Sequence, residues 1–155
     1  MPEFDGSLTA TGPVAIVVAR YHGRITRRLL DGALEACAEA GIATDAVDVH
    51  WVDGAFELGV VTTASARSGR YVAVVALGVV IRGETPHFDF VAGETAAALG
   101  RAATETLVPV GFGLLTCDTV VQATARAGGD SGNKGREAAE AAIRTAALLH
   151  RMANR

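Results

Sequence analysis

Four apolar, β-branched runs alternate along this chain with Ala-rich segments of helical periodicity. That alternation constrains the fold more than any other feature. The first run, residues 14–19, is continuously apolar, as expected of a strand buried on both faces. Over residues 25–40, Ile25, Leu29, Ala33, Leu34, Cys37 and Ala38 recur at helical spacing, and Gly41 stands where a C-terminal cap belongs. Residues 46–52 alternate Val47, Val49 and Trp51 with Asp48 and His50, which predicts a second strand. The pattern continues with a helix over 56–68 closed by Gly69 and a strand over 71–81. A helix over 86–106, a strand over 108–115, a short helix over 118–127 and a last helix over 135–152 follow. This order predicts an α/β, three-layer αβα domain: a four-stranded, mostly parallel sheet with helices on both faces. Residues 1–12 are polar and read as an N-terminal arm, leaving 13–155 as a single domain.

Composition narrows the function. The chain has 155 residues, half of them apolar, enough for a core without disulfide or metal staples. A net charge of −3 argues against a nucleic-acid partner, which calls for a basic face. The longest apolar stretch, 72–81, is half the ~20 residues of a membrane span. The start of the chain has neither a basic nor an apolar leader region. Cys37 and Cys117 therefore read as free thiols of a cytoplasmic protein, and the four scattered histidines show no metal-ligand spacing. Thirteen of 14 basic residues are Arg, so Lys134 stands alone. Thirty alanines and 18 glycines are a surplus of small residues for a small domain.

In an open parallel sheet, ligands bind beyond the carboxyl ends of the strands. Four loops lie there: 20–23, 53–57, 82–87 and 116–119. Aromatics are scarce, yet Tyr21, Phe56, Phe88 and Phe112 fall at or near these ends. The third loop enters a helix with Thr85 as expected N-cap and Pro86 at the first helical position. Free N–H groups and the positive dipole end make such a helix start an anion site. His87 sits in its first turn, either as a general acid/base beside the anion or as a surface residue that caps. The Gly-rich stretch 128–135 lacks Walker spacing, and Gly111-Phe112-Gly113 lacks the third glycine of a dinucleotide site. No nucleophile elbow is present.

Taken together, several strings resemble one family. They are Gly54-Ala55-Phe56-Glu57, the run from Leu77 through Arg82-Gly83-Glu84-Thr85-Pro86-His87-Phe88-Asp89 to Val91, Phe112-Gly113-Leu114-Leu115-Thr116, Gln122-Ala123 with Arg126-Ala127-Gly128, and Gly132-Asn133-Lys134-Gly135. In this order they resemble lumazine synthase, with the likeness running from about residue 7 to residue 150. The resemblance implies a flavodoxin-like fold. It also implies condensation of 5-amino-6-(D-ribitylamino)uracil with 3,4-dihydroxy-2-butanone 4-phosphate to 6,7-dimethyl-8-ribityllumazine, phosphate and water, with no cofactor and no metal. By the same resemblance, Tyr21 stacks on the pyrimidine, and Ala55, Phe56 and Glu57 line the ribityl side. Val79, Val80 and Ile81 offer backbone groups to the uracil; Glu84 and Thr85 present the helix start to the phosphate. His87 carries protons. Phe112, Arg126 and Lys134 come from a neighbouring subunit, with Arg126 pairing the phosphate.

The resemblance further implies pentamers, some of which close into sixty-subunit icosahedral shells. The short 126–134 connection favours the shell. Asp53 and Gly59 stand where the family usually has proline, Val121 where Glu is usual, and Glu84 where small residues or Gln are commoner. These departures motivate an alternative, a shell-forming or flavin-binding paralog with weak or no catalysis. A third reading, an archaeal-type riboflavin synthase, is disfavoured by the complete Arg-Gly-Glu-Thr-Pro-His-Phe-Asp string.

Overall fold

The structure, a computed structural model, describes residues 1–155. Four parallel strands form the sheet: β1 (Val14–Ala19), β2 (Val47–Val52), β3 (Ala73–Ile81) and β4 (Val110–Cys117), in the order β2-β1-β3-β4. This is the flavodoxin-like winding, in which the strand order reverses between β1 and β3. The connecting helices are α1 (Gly23–Glu39), α2 (Leu58–Arg67), α3 (His87–Thr106), α4 (Val120–Ala125) and α5 (Lys134–Ala153). Single 3₁₀ turns at Thr44–Ala46 and Ala55–Glu57 precede β2 and α2.

Side chains of β1 divide the core between the two faces, because successive strand residues point to opposite sides. Val14, Ile16 and Val18 join the larger cluster under α1 and α5, whereas Ala15, Val17 and Ala19 join the smaller one under α2 and α3. Small residues set the helix distances. Ala33 and Ala36 of α1 and Ala138, Ala139, Ala142 and Ala146 of α5 are all buried in the larger cluster. At Gly135 a Cβ would overlap the Leu29 backbone, and at Gly111 the carbonyl of Ala138. Much of the alanine surplus is thus consumed inside the chain. On α3, however, only Thr95, Leu99 and Ala102 are buried.

The boundaries differ from the sequence expectations at informative places. In α1 the buried stripe is Ile25, Leu29, Ala33, Ala36 and Cys37, joined by Leu30; Leu34 and Ala38 lie outside it. The buried arc is wide enough to hold adjacent pairs such as Leu29–Leu30 and Ala36–Cys37, but Leu34 and Ala38, about 100° and 140° around the helix from Ala33, fall beyond its far edge. The helix expected over 118–127 is only six residues long. Thr119 starts it: its hydroxyl accepts from Gln122 N at 3.1 Å, and Gln122 Oε1 accepts from Thr119 N at 3.3 Å, a capping box. The chain then turns into a small antiparallel hairpin, β5 (Ala127–Gly129) and β6 (Gly132–Asn133), with Gly128 and Gly132 both at positive φ. Over residues 1–12 the chain forms no strand. Leu8 and Ala10 pack on the larger cluster, Ala10 N donates to Ala40 O at 2.8 Å, and Phe4 lies under the guanidinium groups of Arg151 and Arg155.

Asn133 secures the hairpin's exit. Its Oδ1 accepts from Gly135 N (2.9 Å) and Arg136 N (3.1 Å), and its amide donates to Arg28 O (2.9 Å), fastening α5 to α1. Gly32 leaves room for this side chain. Replacing Asn133 by Ala removes the cap and the cross-helix bond together. The expected loss is about 1–2 kcal/mol, read as a lower melting temperature at matched protein concentration.

Both cysteines are buried. Burial pushes the Cys37 thiol up to about 11, and it raises Cys117 too, where nearby Arg126 pulls the other way. Neither thiol is set up to act as a nucleophile.

Candidate active site

The largest cleft, about 830 Å³, opens at the carboxyl ends of β1, β2 and β3, where the strand order reverses. Three loops build it. After β1, Tyr21 packs edge-on against His22 with ring centroids 4.7 Å apart, and His22 takes a left-handed conformation that turns the chain into α1. Arg20 N donates to Val52 O and Tyr21 N to Asp53 O, so the first loop is laced to the second. Asp53 uses its carbonyl there.

The second loop enters its 3₁₀ turn at Gly54. Glu57 Oε2 accepts from Gly54 N at 2.9 Å, so one carboxylate oxygen holds the loop. The other oxygen makes no hydrogen bond within the chain. Thr95 of α3, fully buried, donates its hydroxyl to Ala55 O at 3.3 Å and ties this loop to the far wall. Phe56 stands 62% exposed above it, and Tyr21 is 68% exposed. Both rings line the cleft.

The third loop leaves β3. Pairing with β1 ends at Val18 opposite Leu77, whereas pairing with β4 continues to Ile81 opposite Cys117. Along Val79, Val80 and Ile81, the edge of β3 that faced β1 therefore carries unpaired backbone donors and acceptors at the cleft. Buried backbone groups of this kind require partners. Gly83 and Thr85 line the cleft, while the exposed Glu84 side chain is not part of its wall.

The helix start differs by one residue from the sequence expectation. Pro86, not Thr85, occupies the N-cap, and α3 begins at His87 with no side-chain cap. Thr85 Oγ1 makes only a long 3.5 Å contact with His87 N. Proline has no N–H, and the first amides of a helix lack the partners that later turns supply. His87 lines the cleft in this first turn.

Phe90, Val91 and Glu94 also line the wall and were not singled out from the sequence. The signal was present: they lie three, four and seven residues after His87, on one helical face. Three expected site residues are elsewhere. Phe112 and Lys134 line a separate cleft of about 470 Å³ between β4 and α5, and Lys134 Nζ is paired with Glu137 at 2.9 Å. Arg126 is half-buried at the end of α4, donating to Gln122 O at 3.0 Å. The main cleft is lined by no Lys or Arg.

A switch-point cleft with an open strand edge, an uncapped helix start and a histidine beside it defines an α/β enzyme of flavodoxin-like winding that acts on a small polar molecule. A family model described as 6,7-dimethyl-8-ribityllumazine synthase matches residues 12–150. A 6,7-dimethyl-8-ribityllumazine synthase of Gemmatimonas aurantiaca is 50% identical over 152 residues, covering 97% of this chain and 93% of the relative. One from Anaeromyxobacter sp. strain Fw109-5 is 48% identical over 154 residues, covering 99% and 94%. The chain belongs to the 6,7-dimethyl-8-ribityllumazine synthase family, transferases of riboflavin biosynthesis.

Proposed function

We propose that this cleft condenses 5-amino-6-(D-ribitylamino)uracil with 3,4-dihydroxy-2-butanone 4-phosphate, and that a second copy of the chain completes it. Tyr21 stacks on the pyrimidine, and the open edge of β3 at Val79, Val80 and Ile81 reads its polar rim. Ala55, Phe56 and the free oxygen of Glu57 meet the ribityl chain. Thr85 and the backbone at Glu84 face the phosphate from the start of α3.

The reaction needs an amine to attack a carbonyl, loss of water, elimination of phosphate and ring closure. Each step moves a proton between groups on one bound molecule. One histidine at the rim, His87, serves all of them, and pre-arranged reactants supply the rest.

One observation carries the second copy: a cleft assigned a phosphate has no basic side chain in its wall. Arg126 and Lys134, with Phe112, sit on other surfaces of the same chain, as expected of residues that serve a neighbour's site. The open Ala-rich face of α3 and the exposed Phe112, Leu107 and Val121 support burial against copies of the chain. The family resemblance makes that assembly a pentamer, and beyond it an icosahedral shell, in the cytoplasm. No helix is long and apolar enough to cross a membrane.

An assay with both substrates, read at the lumazine absorbance, tests the activity: product and phosphate appear together. No product from a correctly assembled protein would favour the flavin-binding or structural paralog. Light scattering decides the assembly, and a mass near five chains would reject the shell and retain the pentamer.

A further inference from the structure

The helix that carries His87 starts without a side-chain cap, yet its first turn must be held in place for a proton carrier to work. A different device occupies that position. Arg82, the first residue after β3, spreads its guanidinium over three neighbours. Its Nε donates to Asp118 Oδ1 at 2.9 Å, in the loop after β4. Its Nη1 reaches Asp89 Oδ1 at 3.4 Å, in the first turn of α3. The guanidinium carbon lies 4.4 Å from the centroid of the Phe88 ring, the residue beside His87. Its backbone N donates to Cys117 O at 2.9 Å.

We propose that Arg82 is a positioning residue: a planar clamp that sets the first turn of α3, and with it His87, against the ends of β3 and β4. This rests on the condensation reading of the site. Two in-plane donors and a flat face act on three partners at once, which an ammonium cannot do. The bond to Asp118, and the nearby charges of Asp89 and Asp118, hold the guanidinium pKa above its ordinary value.

The clamp also spans the two halves of the chemistry. Asp118 N donates to Gln122 Oε1 at 2.8 Å, and Gln122 O accepts from Arg126. The turn that places His87 and the helix that places Arg126 are therefore joined through Arg82 and Asp118. A single exposed ion pair holds little; a fork shared by two carboxylates and stacked on a ring resists rotation because all its contacts must break together.

The test compares Arg82→Met, Arg82→Lys and the parent by steady-state kinetics and by amide hydrogen exchange read by mass spectrometry. In Arg82→Met, amides of residues 85–91 are expected to exchange about tenfold faster, while α1 and α5 keep parent rates. The kcat is expected to fall about 10- to 100-fold, because small misplacement of a reacting group has effects of that order. The KM for the pyrimidine should stay near the parent value, since Tyr21, Phe56 and the β3 edge are untouched. Arg82→Lys keeps the charge with one arm and should fall between the two.

Unchanged exchange at 85–91, unchanged kcat, or full restoration by Lys each overturns the clamp. So does loss of kcat only in step with a lower melting temperature. Asp118→Asn and Asp89→Asn each weaken one arm and substitute if Arg82→Met does not fold. If the parent itself makes no lumazine, the condensation reading fails, and the exchange comparison still decides whether Arg82 holds the turn.

Discussion

Replacing His87 by alanine is expected to lower kcat about 10- to 100-fold without abolishing it. General acid–base groups contribute roughly 10²–10⁴, and this cleft is open enough for water to take over part of the proton traffic. The backbone amides at the start of α3 and the stacking walls survive the change, so binding of both substrates should persist. His87 is exposed and makes no side-chain hydrogen bond, so folding does not depend on it. Stopped-flow or steady-state rates against pH measure the effect. Parent-like turnover would remove His87 from the reaction.

Arg126→Ala should act on the other substrate. A cation facing a phosphate forms charge-assisted hydrogen bonds of about 1.5–3 kcal/mol, so kcat/KM for the butanone phosphate should fall roughly 10- to 100-fold. The KM for the pyrimidine should hold. In the single chain Arg126 bonds only the Gln122 carbonyl, which leaves most of its donors free for an anion. A normal KM for the phosphate substrate would reject the role. Mixing Arg126→Ala with His87→Ala chains makes the stronger statement. If the site is shared between copies, mixed assemblies recover activity, because some sites receive both wild-type residues.

Particular residues show how far the chain could be read in one dimension. The continuous apolar run Val14–Ala19 was legible as a strand covered on both sides, and all six residues are buried. Gly41 and Gly69 were legible as helix terminators, and both adopt positive φ. The Thr119–Gln122 spacing carries a capping box that places the start of the fourth helix at Val120 rather than Asp118. The β5–β6 hairpin was not legible. Five strand residues, three of them glycine, carry no periodicity, and what holds them is Asn133 reaching across to Arg28. The slip from Thr85 to Pro86 at the N-cap has a local cause. Pro86, at φ −70° and ψ 7°, does not enter the helix, and Thr85 reaches His87 N only at 3.5 Å.

Residue order alone suffices for the strand–helix alternation, the parallel sheet and the placing of His87 at a helix start beyond a strand. These depend on side-chain periodicity, breaker residues and the fixed hand of crossovers, which act over a few residues or by a general rule. The open edge at Val79–Ile81 is a product of three-dimensional packing, since it follows from β1 ending before β3 does. It alone set Phe112 and Lys134 on a second cleft, away from His87. It alone brought Arg82, Asp89 and Asp118 into one clamp. Such contacts join residues far apart in the chain, and their geometry is set by how sheet and helices pack rather than by the order of neighbours along it.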